Sequence, residues 1–399
     1  MWCQLILNMR LYFLLFVCLF YFCCEDLNKD PNTFIFTKAF GGNNSETGFS
    51  VQQTADNGYI ITGSTYSFGN GNYDGWIVKT NSRGKEEWNQ TFGGTLEDHT
   101  FHGRQTTDGG YIMTGDTRSI GNGRSDVWLI KTDSKGQKDW EKNYGWGSDD
   151  IGYEVKETND GGYIIVGMTE SFGSRTALLI KTDFQGNEEW NRIFGDSNIQ
   201  YGFSVQQTTD GGYIVSGENN SNGNGHYDFW LIKTDFQGHE QWNKTFGGAD
   251  SERGWSVLQT EDDGYIICGE TSSFGDEYVS AYLVKTDPLG NEEWNRVLGG
   301  KGFGRTIQHT EDGGYIIAGD KYSFETNSYD VWLIKTNSQG TEKWNKTFGG
   351  IENESGYFVS RTTDGGYIVS GETRSYGNGG GDMFLIKTDS EGNTNPFED

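Results

Sequence analysis

Short apolar runs separated by turn residues recur along this chain and predict strands. In the unit around residue 210, strands are expected at about Gly202 to Thr208, Tyr213 to Gly217, Asp228 to Thr234 and Glu240 to Phe246. The third run is nearly continuously apolar, as a strand covered on both faces requires. Asp210-Gly211-Gly212 is a hairpin signal, because the central residues of such a turn need positive φ. A helical apolar period is hard to find beyond the first 24 residues, so the chain is predicted to be all-β.

The same four-strand unit occurs seven times. Its marker tyrosine recurs at spacings of 50 or 52 residues, at Tyr59, Tyr111, Tyr163, Tyr213, Tyr265, Tyr315 and Tyr367. A period near this length, with several short strands in each unit, is typical of a β-propeller in which one unit forms one blade.

The two ends of the repeat predict how the ring closes. In six copies a tryptophan opens the last strand: Trp88, Trp140, Trp190, Trp242, Trp294 and Trp344. The seventh copy has Pro396 there, and its last strand is missing. Phe36 to Gly42 resembles that missing segment and has no repeat before it. We therefore expect the N-terminal strand to complete the last blade of a seven-bladed propeller, which leaves no free sheet edge.

The N-terminus predicts export. Residues 11 to 22 form an apolar run after Arg10, of the length of a signal peptide and short for a membrane span. The predicted organisation is a signal peptide or anchor at 1–24, a linker at 25–32, the propeller at 33–395 and a tail at 396–399. Met9 as the true start, an uncleaved anchor and a lipid on Cys23 or Cys24 remain alternatives. The protein is expected to be secreted or anchored at the cell surface, with membrane contact only through this segment.

Charge and cysteine content narrow the classes of partner. The formal net charge is −26, with 57 acidic and 31 basic residues, which argues against binding nucleic acid by counterion release. An acidic surface suits solubility, association with cations or a basic partner. Four of the five cysteines lie in or beside the leader, so Cys268 is alone in the propeller and no internal disulfide is expected. We expect a monomer.

Most repeated residues are interpreted as structural. Ten of the 13 tryptophans occupy two repeated positions, one opening the fourth strand and one in the third strand. They could form an array of carbohydrate-stacking platforms. Packing between blades, with the indole N–H bonded to a backbone carbonyl, is favoured. Six N-x-S/T sequons are candidate glycosylation sites: Asn43, Asn89, Asn219, Asn243, Asn345 and Asn353.

One face of the ring is predicted to carry tight turns and the other to carry the long loops, where binding residues usually lie. Each loop between the second and third strands ends in aspartate at Asp74, Asp126, Asp228, Asp330 and Asp382, replaced by Thr176 and Ser280 in blades three and five. These carboxylates either bond the backbone of their own loop or bind calcium. No loop has the D-x-D-x-D-G spacing of a strong calcium site.

The first strand of each unit contributes the least repeated polar residues, which are expected to point toward the channel. They are His102, Arg104, Glu154, Lys156, Glu157, Arg305, His309 and Arg361. They either form ion pairs between neighbouring blades or line a shallow binding pocket at the channel mouth. The chain has no G-x-S-x-G, H-E-x-x-H, phosphate loop or paired zinc cysteines.

The segment from Asp330 to Gly350 resembles the secreted bacterial and archaeal β-propeller repeat proteins (SBBP-like repeats). Their pattern is D-A-[FW]-[LV]-x-K-x-D-x-x-G-x-x-x-[WY]-x-x-x-[FY]-G-G, and the match covers nearly everything after the leader. The resemblance implies an exported binding scaffold and no activity. Asp183 to Trp190 is similar to the quinoprotein repeat D-x-x-T-G-x-x-x-W but lacks its Thr, so that likeness implies packing more than a quinone cofactor.

Three functional hypotheses follow. The first is a non-enzymatic propeller that binds a protein or glycan through its long-loop face, with no cofactor apart from possible calcium. The second is an enzyme, either quinoprotein-like or a hydrolase or lyase, with its site at the channel mouth. The third is a purely structural module in a larger surface assembly, which the sequence does not separate from the first.

Overall fold

The computed structural model describes residues 34–195, 198–220, 226–275 and 278–397. The predicted leader and linker, including Cys3, Cys18, Cys23 and Cys24, therefore lie outside the described residues. Within these ranges the chain forms twenty-eight strands in seven four-stranded antiparallel sheets, arranged as a seven-bladed β-propeller. The predicted fold class is confirmed. The described part contains no helix long and apolar enough to span a membrane.

The strands follow one another in the order of the repeat. In chain order they are β1 Phe36–Phe40; in blade one β2 Glu46–Gln53, β3 Tyr59–Thr65, β4 Asp74–Thr80 and β5 Glu86–Phe92; in blade two β6 Asp98–Gln105, β7 Tyr111–Thr117, β8 Asp126–Thr132 and β9 Lys138–Tyr144; in blade three β10 Asp150–Glu157, β11 Tyr163–Thr169, β12 Thr176–Thr182 and β13 Glu188–Phe194; in blade four β14 Gln200–Gln207, β15 Tyr213–Asn219, β16 Asp228–Thr234 and β17 Glu240–Phe246; in blade five β18 Glu252–Gln259, β19 Tyr265–Thr271, β20 Ser280–Thr286 and β21 Glu292–Leu298; in blade six β22 Gly302–His309, β23 Tyr315–Ser323, β24 Ser328–Thr336 and β25 Glu342–Phe348; in blade seven β26 Glu354–Arg361, β27 Tyr367–Thr373 and β28 Asp382–Thr388.

The ring closes as the sequence predicts. β1 pairs antiparallel with β28, from Phe36 opposite Lys387 to Phe40 opposite Met383, and becomes the outer strand of blade seven. Phe36 stands where the other blades have tryptophan, and its ring lies 5.9 Å from that of Tyr59 in blade one. The equivalent pair of blades one and two, Trp88 and Tyr111, is separated by 5.7 Å. The closing blade thus reuses the contact that joins the other blades.

The hydrophobic core lies between adjacent blades. One cluster, for example, combines Cys268 and Leu283 of blade five with Ile307 and Trp332 of blade six. The third strand is buried along its whole length in most blades, as its continuous apolar run predicts. The innermost strands contact one another around the axis and therefore line the central channel.

The packing interpretation of the tryptophans is confirmed, with one correction. A fourth-strand tryptophan covers the next blade's turn glycine, because a methyl group on Gly136 would lie 2.5 Å from the Trp88 ring. The third-strand tryptophans do not donate to a backbone carbonyl as expected. Trp76 Nε1 donates instead to Asn89 Oδ1 on the neighbouring strand, at 3.3 Å. A side-chain acceptor is available there because the strand pairing places Asn89 beside the indole.

Candidate functional site

A β-bulge in each innermost strand shapes the channel. In blade one the register shifts between Gly48 and Ser50, so Phe49 has no partner in the strand pairing. A bulge re-aims the side chain of its extra residue, and here it turns that side chain toward the channel. The equivalent residues of blades one to seven are Phe49, Phe101, Tyr153, Phe203, Trp255, Arg305 and Tyr357.

These seven residues surround the axis, and side-chain contacts join them in series from Arg305 through Tyr357 and Phe49 to Trp255. Ring centroids are 5.3 Å apart for Phe49 and Phe101, and 4.5 Å apart for Phe203 and Trp255. Tyr153 bridges the two pairs at 5.9 Å from Phe101 and 5.4 Å from Phe203. These separations and their tilted or edge-on geometries are those of favourable aromatic pairs. We call the cavity of about 300 Å³ that this ring lines the aromatic cup.

In blades two to seven, the next residue of the innermost strand forms the floor of the aromatic cup. His102 of blade two and Phe358 of blade seven, the blades on either side of blade one, have ring centroids 5.5 Å apart. The floor is lower on the opposite side, where blades four, five and six supply only Ser204, Ser256 and Thr306. The cup therefore has large side chains on one side of its base and space on the other.

Arg305 is the one member of the ring that is not aromatic. Its guanidinium lies 5.0 Å from the centroid of the Tyr357 ring, a cation–π distance. Its Nε and Nη2 atoms donate to Asp320 Oδ2 at 3.1 and 2.7 Å. Asp320 is fixed in turn by the Gly356 N–H, which donates to Oδ1 at 2.8 Å. This chain of contacts holds a guanidinium in one orientation at the wall of the cup.

A second cavity of about 380 Å³ adjoins the cup and shares Arg305 and Tyr357 with it. It is lined by Asp320, Glu372, Arg374 and by the aromatic residues Phe303, Tyr322 and Tyr329. Tyr322 and Tyr329 belong to the extended hairpin of β23 and β24 on the long-loop face. The cup therefore shares part of its wall with a polar and aromatic cavity that reaches the hairpin on the long-loop face.

His102 and Glu154 converge at the floor of the cup, as part of an ion-pair network. Glu154 Oε1 lies 3.7 Å from His102 Nε2 and 3.1 Å from Lys156 Nζ, while Oε2 accepts from the Val205 N–H at 2.7 Å. Burial lowers the pKa of His102 to about 4. Burial raises the pKa of Glu154, but Lys156, His102 and the Val205 N–H outweigh it, and the net shift is downward. The network holds a neutral imidazole beside an ionised carboxylate, and His102 Nδ1 has no hydrogen-bond partner among the described residues.

The structure separates the other polar residues of the innermost strands from the cup. Glu157 accepts from the Thr107 N–H at 3.0 Å near the tight-turn face. His309 Nε2 lies 3.0 Å from the Gln259 carbonyl oxygen, and Arg361 pairs with Glu311 at 2.7 Å. Arg104 is largely buried, which lowers its pKa, within electrostatic range of Glu154 and Glu157. Of the eight residues singled out from the sequence, His102, Glu154 and Arg305 line the cup.

Three of the five loop aspartates accept hydrogen bonds from backbone groups of their own loops. Asp74 Oδ2 accepts from the N–H groups of Asn70 and Gly71, at 2.8 and 3.1 Å. Asp126 and Asp382 accept in the same way from Asn122 and Asn378. Asp228 begins β16 and Asp330 lies in β24. No group of three or more His, Cys, Asp or Glu side chains in the described ranges is arranged to hold a metal ion.

The sequons differ in how their side chains are used. The Nδ2 atoms of Asn89, Asn243 and Asn345, where a glycan would attach, donate to Glu86, Glu240 and Glu342. Asn353 Oδ1 accepts from the Tyr329 N–H at 2.9 Å. Asn43 lies in a loop, and Asn219 ends β15. Use of these sites for glycosylation stays a prediction.

Sequence reasoning missed the aromatic residues of the cup. The signal was present, because an aromatic residue follows a glycine at Phe49, Tyr153, Phe203, Trp255 and Tyr357. Simple alternation along a strand does not reveal a bulge, so the common orientation of these side chains was not visible. The search for variable polar residues led to Arg305 but not to the ring that contains it.

Comparisons with known proteins show the fold and no family. The sequence matches no protein-family model and no curated protein. The structure is similar to the polysaccharide lyase Uly1, with a TM-score of 0.52 and 10% identity over 91% of this chain and 93% of that one. It is also similar to Sqt1 from Chaetomium thermophilum bound to the N-terminus of the ribosomal protein L10, with a TM-score of 0.52 and 9% identity over 88% and 98%. A protein of unknown function from Dyadobacter fermentans matches with a TM-score of 0.50 and 11% identity over 90% and 99%. These neighbours are β-propellers with different roles.

Proposed function

We propose that this protein is a non-enzymatic binding scaffold whose ligand, a glycan or a protein segment, enters the aromatic cup from the long-loop face. The proposal rests on the six aromatic side chains and Arg305 that together line one cavity at the channel. Concave sites lined by aromatic side chains, with a few fixed polar groups, are typical ligand-binding sites. Loops and side chains on a rigid ring are also where propellers are expected to differ in specificity.

The chemistry of the cup supports binding by stacking and by hydrogen bonds. Phe203 and Trp255 contribute aromatic surface to the lining of the cup, and Arg305 contributes a hydrogen-bond donor. Arg305 already places a cation against the Tyr357 ring. A ligand cation at the same place would be repelled, so a neutral or hydrogen-bond-accepting group is favoured next to Arg305.

A second candidate function, an enzyme acting at the channel mouth, rests on His102 and Glu154 at the floor. A general base works best when its pKa lies near the working pH. His102, with a pKa of about 4, is neutral but weakly basic at pH 7. Glu154 is engaged by Lys156 and His102. Binding is therefore favoured over catalysis, and turnover of a bound ligand that is abolished by His102→Gln would reverse this preference.

The test compares two serine-to-phenylalanine variants of the full chain. Ser256→Phe places a large side chain on the side of the floor lined by serine and threonine, and blade seven has Phe358 at the equivalent position. Ser338→Phe is the matched control in the exposed turn between β24 and β25, where Phe184 is the counterpart in blade three. Wild type and both variants are applied to glycan arrays and to peptide arrays.

The expected result is binding by wild type and Ser338→Phe to a common set of ligands, with at least a tenfold loss for Ser256→Phe. Equal binding by all three proteins would show that the ligand is held elsewhere. Absence of binding by wild type on both arrays would contradict the scaffold function itself.

A further inference from the structure

Five blade interfaces bring together two carboxylates from different blades. At each of these five interfaces, an aspartate at or near the start of the third strand of one blade faces an acidic residue. That acidic residue begins the innermost strand of the next blade. The five carboxylate pairs are Asp74 with Asp98, Asp126 with Asp150, Asp228 with Glu252, Asp330 with Glu354, and Asp382 with Glu46.

A glycine between the two strands shows how close the paired oxygens are. A methyl group built on Gly93 would lie 1.9 Å from Asp74 Oδ1 and 2.9 Å from Asp98 Oδ2. The same construction on Gly41 gives 1.8 Å to Asp382 Oδ1 and 2.5 Å to Glu46 Oε2. The two oxygens of each pair are therefore within about 5 Å, a distance at which like charges repel appreciably outside bulk water.

The two remaining interfaces have lost both acids together. Blade three has Thr176 in place of the aspartate, and its partner at the start of blade four is Gln200. Blade five has Ser280, and its partner at the start of blade six is Gly302. Every interface of the ring thus has both carboxylates or neither.

The role of each acid within its own blade does not explain this joint loss. Glu46, for example, accepts from the N–H groups of Gly42 and Ser67 and from the Thr65 hydroxyl. Asp382, its partner in blade seven, accepts from the Asn378 N–H of a different loop. Neither set of hydrogen bonds requires the other carboxylate, whereas a shared ligand requires both.

In two of the five pairs, one oxygen of the aspartate has no hydrogen-bond partner among the described residues. Asp126 is 2% exposed, and its Oδ2 accepts from the Asn122 N–H, but no described residue bonds its Oδ1. Asp330 Oδ1 is in the same state. A buried anionic oxygen that faces a second carboxylate is costly unless a positive charge lies between them.

We propose that each of the five carboxylate pairs binds one divalent cation of the calcium type, held by an oxygen of each carboxylate. Calcium prefers carboxylate and other oxygen ligands and completes its shell with water and backbone carbonyls. Each pair offers two carboxylates, fewer than a tight site, so the affinity expected is that of weak extracellular modules, with Kd of about 10⁻⁴ to 10⁻³ M. Five divalent ions would reduce the net charge of −26 by about ten units.

The experiment measures the number of calcium ions bound per full-length chain by equilibrium dialysis at pH 7.5, with calcium alone as the probe. About five ions are expected for wild type, and one fewer for Asp126→Asn. Asp139→Asn is the matched control, because Asp139 is an exposed acid of the same blade outside the pairs. This control should bind as many ions as wild type.

A variant that adds a carboxylate pair separates the loss of a binding site from misfolding, because a misfolded protein would not bind an additional ion. Thr176→Asp combined with Gln200→Glu recreates a carboxylate pair at the interface of blades three and four, and one additional ion is expected. Calcium binding that falls equally in Asp126→Asn and Asp139→Asn would indicate diffuse surface association and overturn the proposal. Absence of binding by wild type at 5 mM calcium would also overturn it. Neither outcome concerns ligand binding in the aromatic cup. The calcium sites and the proposed binding function are therefore tested independently.

Discussion

The ring of Phe49 lies 5.2 Å from the ring of Tyr357, with 54° between their planes. These residues come from the first and last blades, so their contact closes the aromatic ring at the point where the two ends of the propeller meet. On the outside of the ring, β1 joins the same two ends by pairing with β28. The candidate site therefore depends on ring closure, and a protein with an open ring should lose both stability and the shape of the cup.

Phe36→Ala tests the closing contact. Phe36 is 7% exposed and packs against Tyr59 of blade one, so truncation should lower the free energy of unfolding by about 3 to 5 kcal/mol. Phe184→Ala, at a 65% exposed turn position, should change it by less than about 0.5 kcal/mol. Urea unfolding followed by far-UV circular dichroism measures both. Equal, small effects would mean that β1 does not secure the ring.

Gly136→Ala tests the tryptophan contact between blades. Gly136 has a φ of +76°, and an added methyl group would lie 2.5 Å from the Trp88 ring. Gly109→Ala is a matched control, because Gly109 has a φ of +85° with no atom within 4 Å of the same methyl position. Both variants carry backbone strain of about 1 to 2 kcal/mol. Gly136→Ala should lose about 1 to 3 kcal/mol more through overpacking. Equal losses in urea unfolding would contradict the interblade role of Trp88.

His102 should make the fold sensitive to mild acid. Its pKa in the folded protein is about 4, below the usual 6.5, so the unfolded chain binds the proton more readily. Stability is therefore unaffected above pH 6.5 and falls as the pH drops from 6.5 toward 4, by on the order of 3 kcal/mol at most. His102→Gln should flatten this part of the profile of unfolding free energy against pH. His239→Gln, at an exposed histidine, should leave it as in wild type. An NMR titration of the His102 imidazole with a midpoint near 6.5 would contradict the burial argument.

The fold could be predicted from the sequence because the same pattern of strands and turns is repeated seven times. The tyrosines from Tyr59 to Tyr367 give the number of blades, and Phe36 with Pro396 gives the circular closure. Each copy supports the same strand assignment, so a single ambiguous run matters little. The observed bounds differ from expectation mainly at strand ends, for example Gln200–Gln207 where Gly202 to Thr208 was expected.

The site was less predictable, for two physical reasons. First, the bulge that turns Phe49 and Trp255 into the channel leaves no mark in the apolar pattern. Second, partners such as Asp126 and Asp150 belong to different blades, and their closeness depends on how neighbouring blades pack. Thr176 and Gln200 lie 24 positions apart in the sequence. Their shared departure from the repeat acquires meaning only when the ring places them at one interface.

The most direct test of the aromatic cup is a crystal structure of the protein with the ligand that the arrays identify. Ligand density is expected inside the cup, in contact with the ring of Trp255 and with the guanidinium of Arg305. Density on the tight-turn face or on the outer strands, with no ligand in the cup, would contradict it.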